Sequence, residues 1–163
     1  MTIWGALAGG LVGTVVLTSG MRISQELGIT RMDLPLLLGT VFTAHRSRAN
    51  VIGYVLHFVN GFLFALAYYA IFRAVGHAGW LFGLGLGLVH GLFAGGALVN
   101  VLLPAVHPRM GTPWSDAEET PLLEPPGLFL ENYGSRTALG NIAAHLLYGS
   151  IVGGFAAHLA GWT

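Results

Sequence analysis

Apolar residues run along this chain in four long blocks separated by two polar-interrupted stretches. The blocks lie at about residues 3–20, 51–72, 79–103 and 137–160. Each is long enough to cross a bilayer, which takes about 20 residues at a helical rise of about 1.5 Å. The first lacks the basic start and small-residue cleavage pattern of a secretory signal and is read as retained. The third is expected to stop at Pro104, whose ring cannot continue the hydrogen-bond ladder. The pattern predicts an all-α, four-transmembrane-helix bundle forming a single domain, with loops at about residues 21–50 and 104–136. Neither loop is a plain linker. Ile29 to Ala44 is apolar but too short to cross, and Asp33 and Pro35 in its middle predict an interfacial or re-entrant piece packed on the bundle. In the second loop, Thr112 to Thr120 reads as a solvated acidic turn, and Leu122 to Tyr133 as a short membrane-surface segment.

Composition names the solvent. Hydrophobic residues make up 54% of the chain and charged residues 9%, whereas a soluble domain is roughly a quarter charged. So few charges cannot cover a water-facing surface. All seven basic residues are arginine, balanced by seven acids, which gives no support to a nucleic-acid partner. The chain has no cysteine, so disulfides, thiol catalysis and thiolate metal sites are excluded together.

Arginine placement predicts the topology. Arg22, Arg31, Arg46 and Arg48 fall in the first loop, Arg109 and Arg136 in the second, and only Arg73 on the other side. Such asymmetry puts both long loops in the cytoplasm and both termini outside. Trp4, Trp80 and Trp162 then lie near the outer boundary, as an aromatic belt would.

Glycine spacing predicts how the spans pack. Gly5, Gly9 and Gly13 recur in the first, Gly83, Gly87, Gly91 and Gly95 in the third, and Gly149 and Gly153 in the fourth. Four-residue spacing forms a ridge on one face, the pattern of a glycine zipper, where another backbone can approach closely. The partner is either another span or a second copy.

Histidine is costly inside a membrane and faces the protein interior or a wet cavity. His57, His90, His145 and His158 all lie within spans. By helical rise, His57 and His145 sit about 9–12 Å from the arginine-rich boundary, and His90 nearer mid-membrane. The first and third share local company: Asn60 beside His57, and Asn141 and Tyr148 flanking His145. Three imidazoles at comparable depth suit a divalent transition metal, a b-type haem or a proton relay. The plainer alternative is that each makes an interhelical hydrogen bond worth about 0.6–2 kcal/mol. Candidate metal ligands are His57, His90, His145 and Asp33, with Glu131 a further carboxylate if its loop folds back. Candidate cofactor contacts are His57, His145, Asn60, Asn141 and Tyr148. His145 and His158 are spaced like one half of a two-haem site, but no second helix carries a matching pair. His107 and Arg109 read as a helix stop with an interfacial anchor, or as part of a site with Asp33.

No phosphate loop, nucleophile elbow or zinc-protease helix is present, so the sequence names no enzyme class. Met32-Asp-Leu-Pro-Leu-Leu-Leu-Gly39, His57-Phe-Val-Asn-Gly61, the Leu103 to Gly111 segment and Asn132-Tyr-Gly134 are similar to a family of small bacterial four-span membrane proteins. That resemblance implies a bacterial inner membrane and no particular activity. Three functions remain open: a redox or binding protein holding a metal or haem, a proton-coupled transporter or channel, and an accessory subunit of a larger membrane complex. The expected partners are the lipid bilayer and either further copies of the chain or other subunits.

Overall fold

The computed structural model describes residues 1–111 and 123–158. Within them it is a four-helix bundle without strands. The expected acidic turn at 112–120 and Trp162 lie outside the described residues. Helix α1 is Ile3–Glu26, opened by Thr2, whose side chain accepts from Gly5 N at 3.1 Å. A short α2, Leu34–Gly39, sits in the first loop, and α3 is Arg46–Val75. Gly76, in the left-handed conformation (φ 74°), ends α3, and a short turn returns the chain into α4, Trp80–Phe93. The third span continues as a π-helix over Ala94–Leu102 and ends in α5, Leu103–Val106. Helix α6 is Thr137–His158.

Two expectations are modified. The third span passes Pro104 instead of stopping there. The change to i→i+5 hydrogen bonding over Ala94–Leu102 widens the helix ahead of the proline. Pro104 then falls in the first turn of α5, where its missing N–H is not needed. The helices α1 and α3 also run past their apolar blocks, to Glu26 and back to Arg46, adding charged turns beyond the hydrophobic core.

Glycine decides which helices touch backbone to backbone. A Cβ at Gly83 would collide with the Gly149 carbonyl, and one at Gly153 with the Gly79 carbonyl, so α4 and α6 meet with no side chain between them. Gly5 and Gly9 lie similarly against Phe155 and Val152, which brings α1 onto the same helix. Gly10 meets Ala65, and Gly61 meets Thr14, closing α1 on α3. The partners of these ridges lie within the chain. Helices α3 and α4 are instead joined by rings: Phe64 stacks on His90 at 3.7 Å, and Phe72 meets Phe82 at 5.7 Å. The buried core draws on Ala6, Ala65, Tyr68, Phe72, Tyr148, Val152 and Ala156.

The outward faces are apolar. Val51, Val55, Val59 and Leu63 follow one another at four-residue spacing on α3, and all are exposed. Only 17% of the most apolar stretch of α3 is buried within the bundle. A soluble protein does not carry an apolar face this extensive. All four spans are long and apolar enough to cross a membrane; this is an integral membrane protein.

The first loop is packed against the bundle, as its composition predicted. Pro35 lies against Gly53, and Gly39 against the Ala49 carbonyl, which seats α2 on the start of α3. His107 precedes Pro108, which favours extended backbone at the preceding residue, and it leaves the helix at φ −84°, ψ 111°. Its buried Nε2–H donates to the Leu37 carbonyl at 3.0 Å, and its Nδ1 accepts from Arg109 N at 3.1 Å. The Arg109 guanidinium donates to the Thr40 and Val41 carbonyls at 2.7 and 3.3 Å, satisfying acceptors that the end of α2 leaves open. Arg109→Ala should therefore free this end of α2. The expected loss is about 1–2 kcal/mol, with faster amide exchange confined to residues 34–43. Unchanged exchange there would remove the clasp from the account.

Candidate functional site

Each sequence-predicted residue has a definite place. His57 from α3 and Asn141 and His145 from α6 line one cavity of about 400 Å³. The rest of its wall is mostly apolar: Val16, Leu17 and Met21 from α1, Met32 and Leu34 from the first loop, and Ala143, Ala144 and Leu147 from α6. Its polar rim consists of Ser24, Thr30, Arg136 and Thr137. The rim lies at the arginine-rich end of the bundle, and His145 lies a little over two helical turns deeper along α6. A cavity of this size and lining is typical of small-molecule sites.

The hydrogen bonds set what each group can offer. His145 Nδ1 lies 2.7 Å from the Asn141 carbonyl oxygen. A carbonyl only accepts, so Nδ1 carries the proton and Nε2 keeps its lone pair. Asn141 Nδ2 donates to the Gly91 carbonyl at 2.9 Å, tying α6 to the end of α4 just before the π-helix. Its side-chain oxygen is left as an acceptor. His57 is 9% exposed and makes no hydrogen bond among the described residues. It is part of the cavity wall. Two imidazoles on different helices, one of fixed tautomer, thus border the same space.

His90 stands behind this wall. Its ring meets His145 edge-to-face at 4.5 Å, stacks on Phe64, and places Nδ1 3.3 Å from the Tyr68 hydroxyl. It does not line the cavity. Tyr148 is fully packed, donates its hydroxyl to the Gly61 carbonyl, and joins α6 to α3. Asn60 is half-buried and outside the cavity wall. Asp33 is the N-cap of α2, accepting from Leu36 N at 3.0 Å. Its carboxylate is engaged there, and Asp33 is absent from the cavity wall although Met32 and Leu34 on either side belong to it. Glu131 is exposed in the second loop, and His158 borders a separate shallow pocket with Ser150 and Phe155 toward the far end of α6. Among the described residues no three His, Asp or Glu converge as metal donors.

The rim is built by stapling the two loops. Arg31 N donates to the Tyr133 carbonyl at 2.7 Å, and the Thr30 and Thr137 hydroxyls lie 2.7 Å apart. Arg31 also pairs with Glu124 at 3.3 Å, and the Tyr133 hydroxyl donates to the Glu124 carbonyl at 2.8 Å. Burial, then the Glu124 charge, push the Tyr133 hydroxyl up to about 12 against the opposing pull of Arg31. It therefore stays protonated and donating at neutral pH. The second loop turns through a 3₁₀ segment, Leu128–Tyr133, in which Phe129 and Leu130 adopt left-handed angles (φ 52° and 67°). Such angles cost non-glycine residues roughly 1–2 kcal/mol each. The fully buried Leu130 side chain and the seat of Phe129 against Gly95 and Gly96 on the π-helix offset that cost.

No family model, curated protein or solved structure matches the chain. The resemblance carried by its short motifs gains no support there, and function rests on the geometry.

Proposed function

We propose that this protein is an intramembrane binding protein whose cavity holds a b-type haem between His57 and His145, in a redox or binding role. The observation that carries the reading is the pairing of these two imidazoles, from different helices, on one largely apolar cavity. A bare divalent ion is less well served, since it needs three or four protein donors. Haem brings four equatorial nitrogens of its own and asks the protein for one or two axial ligands, an apolar envelope and partners for its carboxylates. The Asn141 carbonyl orients the His145 ring as an outer-shell partner does, and Arg136 at the rim suits the carboxylates.

The proposed setting is a bacterial inner membrane, with the stapled loops and the cavity mouth on the cytoplasmic side and both termini outside. The six-to-one arginine asymmetry supports this orientation, as do the exposed Trp4 and Trp80 at the opposite end. Haemin titrated into the detergent-solubilised protein should saturate at one per chain with a six-coordinate, low-spin spectrum. A spectrum no different from haemin in detergent alone would defeat the reading.

One observation favours a second role. Tyr68, hydrogen-bonded to His90, and His145, in edge-to-face contact with His90, set three ionisable groups in succession toward the cavity wall. A proton relay serving a transporter or channel would use them. Proton flux into vesicles that is lost in His90→Phe would support that role, and flux insensitive to the change would end it.

A further inference from the structure

The glycines of this chain differ in what an added side chain would meet, and two that would meet nothing, Gly20 and Gly140, border the cavity. At Gly83, Gly87, Gly149 and Gly153 an added Cβ would strike backbone. At Gly20 and Gly140, both on the cavity wall, an added Cβ would meet nothing within 4 Å. Packing therefore does not require glycine at either place. Each glycine also costs its helix roughly 1 kcal/mol relative to alanine. Gly20 on α1 and Gly140 on α6 are both exposed, so no side chain from either position fills the cavity wall where it reaches the outer face of the bundle. The nine-tenths buried His57, without a hydrogen-bond partner among the described residues, belongs to the same wall.

The mouth carries the opposite character. Arg136 stands there with the Ser24, Thr30 and Thr137 hydroxyls. It is also the N-terminus of α6, where the helix dipole places its positive end and free N–H groups. Apolar wall and cationic rim together describe a ligand that is itself divided in the same way.

We propose that the cavity loads sideways from the bilayer past Gly20 and Gly140, and that it selects an anionic amphiphile. The carboxylate or phosphate rests at Arg136, and the apolar body lies along Leu17, Met21, Ala144 and Leu147 toward His57. This rests on the cavity being a ligand site and not on the ligand containing iron. A free fatty acid, a phospholipid and a porphyrin with carboxylate side chains share the required chemistry.

The test is photo-crosslinking in phosphatidylcholine vesicles with three diazirine probes: a long-chain fatty acid, its methyl ester and a phosphatidylglycerol. Peptide mapping should place the fatty-acid label on α1 and α6 at the cavity wall, in preference to the lipid-facing Leu63 and Val89. Gly140→Leu should remove that preference, with Gly20→Leu as an independent blocking variant. Arg136→Gln should reduce cavity labelling about fivefold, the effect of an exposed ion pair, and the methyl ester should label the cavity no more than the outer faces. Labelling and haemin titration are read separately on the wild-type protein, so a failed haem titration with intact labelling defeats only the iron. Stronger labelling by phosphatidylglycerol than by the fatty acid assigns the anion to a lipid. Labelling spread evenly over all lipid-facing residues, or equal for acid and ester, would overturn the proposal.

Discussion

Gly149→Leu should abolish the folded bundle, whereas Gly85→Leu should leave it intact. At Gly149 an added Cβ falls against the Gly83 carbonyl and within 2.9 Å of the Gly87 N and Cα. These are backbone atoms, and no rotamer change can move them aside. The two helices must separate by more than a side-chain adjustment, and in lipid their adhesion comes from that close packing, not from apolar burial. Overpacking a core typically costs about 1–3 kcal/mol; a leucine against two backbones belongs at or above the top of that range. Separation would also break the Asn141–Gly91 hydrogen bond and the contact between His90 and His145. Gly85 lies on α4 between the contacted Gly83 and Gly87, yet a Cβ there meets nothing within 4 Å. Leucine at that position faces lipid and improves helix propensity. Unfolding in mixed detergent, followed by circular dichroism, should show early collapse for the first variant and none for the second. Equal behaviour would mean that the α4–α6 contact is not what holds the bundle.

The second large effect concerns the two imidazoles on the cavity. His57→Ala and His145→Ala should each weaken haemin binding about 100-fold, or about 2.8 kcal/mol, and convert a six-coordinate spectrum to a five-coordinate one. His90→Ala should do neither. All three residues lie at similar depth, so nonspecific partitioning of haemin into the detergent would treat them alike. The discrimination comes from the wall: His57 and His145 border the cavity, while His90 is turned toward Phe64 and Tyr68. Neither cavity histidine is a main support of the bundle. His57 has no hydrogen bond among the described residues, and His145 bonds only within its own helix. The variants should therefore fold, and melting curves within about 1 kcal/mol of wild type would separate lost binding from lost structure.

How much of this was legible beforehand depends on what each signal encodes. Apolar block length encodes a span, and four spans are present. Four-residue glycine spacing encodes a face, and the face is real at Gly83 and Gly149, but only the structure tells it from the unpacked Gly20 and Gly140. Depth in the membrane follows from counting residues, so His57 and His145 could be set at one level. Azimuth does not follow, because it depends on how neighbouring helices pack. Hence Asn60, one turn from His57, misses the cavity wall that Asn141 joins.

Asp33 illustrates a different gap. An acid before Leu-Pro-Leu is as good an N-cap as a metal ligand, and the cap satisfies an N–H that the short α2 would otherwise leave open. The role of His107 was hinted at by the proline after it, which forces the backbone to extend, but its contact with Leu37 spans 70 positions in sequence. The pairing of loops at Thr30 and Thr137 is equally remote. No local pattern announces such contacts.

The most direct test of the central claim is an absorption spectrum with iron analysis on protein extracted gently from bacterial membranes, before any ligand is added. The account predicts close to one iron per chain and a Soret band with the sharp visible bands of bis-histidine haem. Stoichiometric protein with neither iron nor Soret absorbance would contradict it.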